Sequence, residues 1–340
     1  MNVISYPESL AIPDSVYVDV RSPEEFREDH VPGSVNLPLF DDRERKEVGT
    51  LYRAAGRDEA IMRGTSIVGG KLDDLVGSFL CYREKNIILL CARGGMRSGS
   101  LASLLDSIGL RVYRLKDGYK GYRHYVMKSL ESLSLPWPLF VLQGLTGAGK
   151  TEIIRRLSCA IDLEWMAGHR SSVFGGIGIE QNSQKRLESL LLERLGKLAG
   201  EAFCVIEGES RKIGNLHVPE GLYRIMGVSP VIYIDTPLDR RVDIIYREYS
   251  AHCDGENIPA IVNGLAPKLG QKTTDTLLGL YDDGNIREFI RVMLEKYYDP
   301  LYRHSLQKKE YAAVVVNLDT HEATAELLDR IREYLAERNQ

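Results

Sequence analysis

No apolar run in the sequence approaches the roughly 20 residues that a helical bilayer span requires, which excludes an architecture built on membrane helices. Cysteine is scarce as well. The five present, Cys81, Cys91, Cys159, Cys204 and Cys253, are odd in number, widely scattered and never spaced Cys-x-x-Cys. That pattern argues against a disulfide framework and against a zinc site. There is no excess of positive charge: the formal net charge is −4, so any nucleic-acid binding requires a local positive face. The first residues, Met1-Asn-Val-Ile-Ser-Tyr-Pro-Glu-Ser9, lack a basic segment followed by an apolar one, and a cytoplasmic protein is expected. Internal repeats and low-complexity tracts are also missing. What remains is an ordinary globular composition in 340 residues, enough for two cores.

From Ser15 to about Leu130, short apolar runs alternate with helical spacing, the pattern of an α/β domain. Val16–Val20, Asn86–Leu90 and Val112–Leu115 read as strands, and Leu101, Leu104, Leu105 and Ile108 as a helix closed by Gly109. Residues 133–138, Leu-Ser-Leu-Pro-Trp-Pro, then interrupt regular structure, because each proline restricts itself and its predecessor. A domain over 1–132, a linker over 133–138 and a second domain over 139–340 are expected. In the second, strands are predicted at Leu139–Gln143, Ala202–Ile206, Pro230–Ile234 and Ala312–Val316, with helices around Gln184 to Leu198 and from Ile286 to Tyr297. Strands separated by helices imply a largely parallel sheet.

Cys91 follows the Asn86–Leu90 strand and heads the loop Cys-Ala-Arg-Gly-Gly-Met-Arg-Ser98. Gly94, Gly95 and Gly99 permit backbone angles that turn several N–H groups toward one anion. A helix start and the cations Arg93 and Arg97 favour thiolate over thiol, so Cys91, Arg93 and Arg97 are the candidate catalytic set. Such a sulfur can accept a sulfur or selenium atom and stabilise the charged product. The ordered motifs Asp19-Val-Arg-Ser-Pro-Glu-Glu-Phe26, His30-Val-Pro-Gly-Ser-Val-Asn-Leu-Pro38 and Cys91–Ser98 resemble the signatures of a rhodanese domain. The resemblance implies a scaffold role for Asp19 and Arg21. Cys81, Cys159, Cys204 and Cys253 are expected to be buried apolar cysteines, with Cys159 and Cys204 as packing residues.

Gly144-Leu-Thr-Gly-Ala-Gly-Lys-Thr151 satisfies the P-loop pattern between a strand and a helix. Backbone N–H groups from Gly144, Thr146, Gly147, Ala148 and Gly149 can surround phosphates, with Lys150 reaching the terminal ones and Thr151 holding Mg²⁺. Glu207 and Glu209 follow a predicted strand, where a ligand to metal-bound water or a base would sit; a solvated acidic turn is the alternative. Arg240 or Arg241, after Tyr233-Ile-Asp-Thr-Pro, either approaches the phosphates as in P-loop kinases or belongs to a surface ion-pair helix.

Taken together, the two loops resemble the bacterial tRNA 2-selenouridine synthase family. The likeness extends to Gly49-Thr-Leu-Tyr52, Asp162-Leu-Glu164, His169-Arg-Ser-Ser172, Phe174-Gly175, Gln181–Arg186, Glu207–Gly214 and Tyr298-Asp-Pro-Leu-Tyr302. Ala92 departs from the pattern, where an aromatic residue is expected, and so does Gly208, where an acidic one is. The resemblance implies a rhodanese-like domain followed by a P-loop kinase-like parallel-sheet domain. The implied activity is replacement of sulfur by selenium at C2 of wobble 2-thiouridine, with selenophosphate and geranyl diphosphate as co-substrates, an S-geranyl intermediate and Mg²⁺. The partner is then a tRNA anticodon arm. Basic residues interleaved with tyrosines between Arg111 and Lys128, among them Arg114, Lys120, Tyr122 and Arg123, are candidates to hold it, as are His169, Arg170, Lys185, Arg186 and Arg211. Two rival readings are a nucleotide-dependent sulfurtransferase or kinase with a persulfide carrier, and a non-catalytic scaffold.

Overall fold

A computed structural model describes residues 2–250, 258–306 and 310–338, which leaves Cys253 outside the described residues. They form two compact units. The first is Met1–Ser132 with Lys185–Glu193, and the second is Leu133–Gln184 with Arg194–Gln340.

The first unit is built on five parallel strands: β1 (Asn2–Ile4), β2 (Ser15–Asp19), β3 (Val35–Asn36), β4 (Asn86–Leu90) and β5 (Val112–Leu115). They lie in the order β1-β5-β4-β2-β3. In β4, Ile87, Ile88, Leu89 and Leu90 are all buried, as a central parallel strand covered on both faces requires. Between β3 and β4 the chain inserts three helices, Asp42–Ala54, Arg57–Gly69 and Leu72–Leu80, for which the sequence reading made no provision. Three helices start on reciprocal caps, and Ser5 with Glu8 opens the first, Tyr6–Ser9. Ser22 and Glu25 open Pro23–Glu28, and Asp41 and Glu44 open Asp42–Ala54. Phe79, Leu101, Ala102 and Leu105 close the core over Val18, Ile87 and Leu89.

The second unit carries β6 (Leu139–Gln143), β7 (Ala160–Ile161), β8 (Cys204–Glu207), the short antiparallel pair β9 (Lys212–Ile213) and β10 (Leu216–His217), then β11 (Val231–Asp235) and β12 (Ala313–Val316). Its sheet runs β12-β11-β6-β8-β7, all parallel. From β6 the chain crosses to the edge strand β7, returns through β8, then passes to β11 and β12 on the opposite side. The carboxyl end of β6 is therefore a topological switch point, where a crevice opens. The main strands lie within two residues of their expected bounds. The expected linker is not all loop, because Trp137 is buried and the Pro138 carbonyl accepts from the Cys204 N–H at 2.9 Å. Cys159 and Cys204 are buried in this unit, whereas Cys81, contrary to expectation, is exposed in the first.

A second core in this unit is wholly helical. Ile258–Gly264, Ala266–Leu269, Gln271–Asp282 and Ile286–Met293 pack Ile258, Val262, Leu277, Phe289, Ile290 and Met293 with Val242 and Ile177. The expected helix over Ile286–Tyr297 is α-helical only to Met293, and Leu294–Tyr298 winds as a π-helix. The helix Gln184–Lys197 also departs from the simple division at 133–138, since Lys185–Glu193 belongs to the first unit. The cause is polar: Ser189 and the Lys185 carbonyl bond to Arg123, and Ser189 donates to Asp29.

Phe79→Ala is expected to cost the first unit about 3–5 kcal/mol by leaving a cavity in a close-packed core. Hydrogen exchange should show faster opening of the β4 amides while those of β6 keep their protection.

Candidate active sites: a cysteine loop and a phosphate loop

Cys91 leaves the carboxyl end of β4 and is only 2% exposed, with its Sγ 3.1 Å from the Oγ of buried Ser98. Ser98 lies in the first turn of the helix Met96–Ser107, so the thiol faces a helix start and a hydroxyl. The carbonyl of Cys91 accepts from the Tyr119 N–H at 2.8 Å, and that of Ala92 from the Lys120 N–H at 3.0 Å. These bonds tie the loop to the start of the helix Gly118–Glu131. The approach requires glycine: at Gly118, with φ +54°, a Cβ would lie 2.0 Å from the Cys91 carbonyl oxygen. Gly94 is also left-handed, but Gly99 sits inside the helix Met96–Ser107 and makes room for the Arg114 guanidinium instead of shaping the loop.

Arg93 is exposed, and Arg97 is half-buried with its Nη1 3.1 Å from Glu25 Oε2. The charge of Arg97 is thereby shared with a carboxylate. Burial acts to raise the Glu25 pKa, but Arg97, the Ser22 N–H and Arg45 outweigh it and hold the carboxyl below its ordinary value. Beneath the loop, Arg21 grips Asp19 through Nε and Nη2, donates to the Asp29 carbonyl at 2.7 Å and stacks 3.7 Å over the Tyr119 ring. The Tyr119 hydroxyl donates to Asp29 Oδ2 at 2.8 Å. The Asp19–Arg21 pair thus fixes the segment that holds the Cys91 carbonyl.

Two expected tRNA contacts are corrected by this packing. Tyr122, at 1% exposure, is packed edge-on against Tyr6 inside the first unit. Arg123, at 8%, is consumed by Glu188, Ser189 and the Lys185 carbonyl, with Asp29 3.6 Å away. Neither can reach a nucleic acid without dismantling the unit. Lys120 is exposed, Arg114 half-buried, Lys185 paired with Glu28 at 2.6 Å, and Arg186 lies 4.0 Å from Asp29.

In the second unit the loop Gly144–Thr151 leaves β6 with Gly147 and Gly149 left-handed. Several side chains hold its main chain from behind. Thr236 Oγ1 and Asn317 Nδ2 each donate to the Ala148 carbonyl at 2.9 Å, and Arg241 Nε donates to the Thr146 carbonyl at 2.9 Å. Arg241 is buried and forks onto Asp299 at 3.0 and 2.6 Å, which rules out the surface ion-pair reading for it. Arg240 donates to Asn317 and Thr320. Lys150 Nζ donates to the Gly144 carbonyl at 3.3 Å, and Thr151 Oγ1 to Glu164 Oε2 at 3.1 Å.

Glu207 ends β8 fully buried, which removes it from any solvated acidic turn, whereas Glu209 is half-buried. Glu207 Oε2 accepts from the Glu164 N–H at 3.2 Å, and its Oε1 has no hydrogen-bond partner. Burial and then the neighbouring Glu164 carboxylate push its pKa well up; burial and then Glu209 do the same to Glu164, against Lys150 and the Thr151 hydroxyl. Gly208 is explained by space. Its N–H donates to the Leu142 carbonyl at 2.7 Å, and a Cβ there would lie 2.6 Å from that oxygen. Among the described residues no three His, Cys, Asp or Glu side chains are grouped to hold a metal, so a cation here would draw ligands from Thr151, a carboxylate and bound phosphate oxygens.

A cavity of about 380 Å³ opens from the loop. At one end lie Lys150, Thr151, Glu164, Glu209 and Arg170; the rest of the wall is mostly aliphatic and aromatic, including Phe174, Ile177, Phe289, Ile290 and Met293. Arg170, expected on a tRNA surface, is therefore a cavity residue. It lies 4.8 Å from the Tyr249 ring and donates to the Ile177 carbonyl at 3.0 Å. His169 is also structural: its Nδ1 accepts from the Ser171 N–H at 3.1 Å, its ring packs on Gly175 and Gly214, and burial followed by Arg170 lowers its pKa. Arg211 is exposed and paired with Glu220 at 2.6 Å.

The sequence reading missed Ser98, Glu164 as a partner of Thr151, and Glu248 on the cavity wall, whose pKa burial raises against Arg170 and Arg155. Glu164 had a signal. It follows a short apolar run and an Asp162 that caps its helix by accepting from the Trp165 N–H.

Because the folded-state pKa of Glu25 lies below its unfolded value near 4.5, its pairing stabilises the protein above that pH and is lost as pH falls through the lowered value. Arg97→Met should cost about 1 kcal/mol at pH 7. The gap between the two denaturation curves should close as the carboxyl protonates, and a gap of constant size across the titration would contradict the pairing.

Comparison with known proteins agrees with both loops. The family model of a rhodanese-like domain matches residues 8–125, and that of the tRNA 2-selenouridine synthase AAA domain matches 137–277. Relatives described as tRNA 2-selenouridine synthase include those of Shewanella halifaxensis, 31% identical over 94% of this chain and 96% of the relative, and Chromohalobacter salexigens, 32% over 90% and 92%. That of Bordetella bronchiseptica is 33% identical over 95% of this chain and 96% of its own. With a cysteine loop and a phosphate loop on two parallel sheets, and relatives alike over nearly their whole length, the chain belongs to the tRNA 2-selenouridine synthase family.

Proposed function

We propose that the protein replaces sulfur by selenium at C2 of wobble 2-thiouridine in tRNA, using selenophosphate, by way of an S-geranyl intermediate formed from geranyl diphosphate. The observation that carries this reading is the phosphate loop opening into a largely apolar cavity. A ligand with a diphosphate at one end and a hydrocarbon at the other matches both halves, whereas a nucleotide would set the polar edges of its base against that wall.

The sulfur of thiouridine attacks the allylic carbon, the carbon–oxygen bond breaks, diphosphate leaves with the electron pair, and the N3 proton of the base is released to solvent. Lys150 and Arg170 bring cations to the charge that develops on the leaving group, and the loop amides bring donors. The site also suits Mg²⁺: the Thr151 hydroxyl, Glu164 and the unpartnered Glu207 Oε1 are oxygen donors beside the loop. Bound there, the ion would neutralise phosphate charge. Water exclusion by the apolar wall protects the reactive allyl group.

Geranylation turns the thione into a thioether, so that the selenium of selenophosphate can attack C2 and expel geranyl thiolate; water then takes the phosphoryl group as phosphate and leaves the selenium on C2. In the first unit, Cys91 beside Ser98 at a helix start is the group that would position the selenium donor. The anticodon arm needs cations in solvent, and Arg93 and Lys120 are exposed near that loop.

Mass spectrometry of wobble nucleosides, after incubation of thiolated tRNA with geranyl diphosphate and selenophosphate, tests both steps. Lys150→Ala should slow geranylation by about 10²–10³-fold. Cys91→Ala should abolish selenium incorporation and leave geranylation intact. Steady nucleotide hydrolysis with no prenyl transfer would favour the sulfurtransferase or kinase reading.

A further inference from the structure

We infer that Phe174, Tyr281 and Phe289 form an aromatic stop that sets the length of hydrocarbon the cavity accepts. The inference rests on the prenyl diphosphate reading of that cavity and names what determines its selectivity.

Cavity-lining residues differ in what they touch. Ile244, Ile245 and Tyr302 belong to the phosphate end: a Cβ at Gly147 would meet Ile245 at 2.7 Å, one at Gly149 would meet Ile244 at 3.2 Å, and the Tyr302 hydroxyl bonds to Thr146. Ser172 bonds to Tyr249 at 3.2 Å and Arg170 to the Ile177 carbonyl, so both are held by polar partners. The aromatic trio, by contrast, packs on itself. Phe289 meets Phe174 with ring centroids 6.2 Å apart at 65°, and Tyr281 at 6.2 Å and 58°.

With Phe289 in contact with both other rings, the wall is stiff there, because displacing Phe289 requires moving Phe174 or Tyr281. Phe289 is well placed to be its centre. The helix Ile286–Met293 turns Ile286, Phe289, Ile290 and Met293 toward the cavity at helical spacing, and the π-helix that follows brings Leu294 and Tyr298 to the same wall. Phe289 itself is buried in the helical core, with its ring between the other two. Aliphatic residues elsewhere on the wall can shift rotamers to admit another methyl group. A ring held between rings cannot, so an added isoprene unit meets the trio.

The test measures kcat/KM for prenyl transfer to thiolated tRNA with dimethylallyl, geranyl and farnesyl diphosphates. The wild type should prefer geranyl over farnesyl by at least about tenfold, the range that a few methylenes against a rigid wall provide. Phe289→Ala should raise the farnesyl-to-geranyl ratio by at least about tenfold, and Phe289→Leu and Tyr281→Leu by less. The two leucine variants keep the wall apolar, and thermal melting identifies which variants are folded. A ratio unchanged in the folded variants, with geranyl transfer still present, overturns the stop and leaves the prenyl reading standing. If the wild type transfers none of the three, the prenyl reading itself falls, and the stop with it.

Discussion

Leu90 and Gln143 end the two strands around which the sheets are assembled, and each hands the chain directly to a glycine-rich loop. A central parallel strand has its amides and carbonyls paired on both sides, and both of its faces are covered by helices. The place where such a strand stops is fixed by bonds on either flank, while the next residues lack ladder partners and are free to bind a ligand. β4 lies between β5 and β2, and β6 between β11 and β8. Cys91 and Gly144 owe their positions to that constraint, and so do the groups that brace them, Tyr119 and Lys120 for one loop and Thr236, Asn317 and Arg241 for the other.

Charge in the second unit follows a different logic. Glu164 and Glu207 converge beside Thr151 with too few partners for both to be comfortably ionised, and burial raises both. Lys150 and Arg170 sit at the same end of the cavity. Acidic and basic groups gathered beside a phosphate loop suit a ligand that brings negative charge together with a cation. The helical core behind them supplies the opposite environment. One cavity thus presents a polar end and an apolar end, which a nucleotide site built on this sheet has no need of.

The basic and aromatic stretch from Arg111 to Lys128 shows why a cluster in sequence is not a cluster in space. Once Gly118–Glu131 is helical, Gly118, Tyr122, Val126 and Leu130 recur every four residues on the buried side, while Lys120, His124 and Lys128 recur in solvent. Periodicity alone would have separated Tyr122 from Lys120. Arg123 is different, because its burial depends on Asp29, Glu188 and Ser189, which no local pattern brings near it.

Much was therefore legible in the residues. Strand runs, the cysteine loop, the phosphate loop and the division near Leu133 follow from apolar periodicity, glycine spacing and proline, all of which act over a few residues. The attachment of Lys185–Glu193 to the first unit, the pairing of Arg97 with Glu25, the approach of Glu164 to Thr151 and the placing of Arg170 in the cavity join residues far apart in the chain. Local rules are silent on such contacts, because they arise only when separate elements pack. The sequence by itself determined where the cysteine loop and the phosphate-loop motif lie; the tertiary structure decided what surrounds them, including the apolar wall beside the second loop, since a cavity belongs to no single segment.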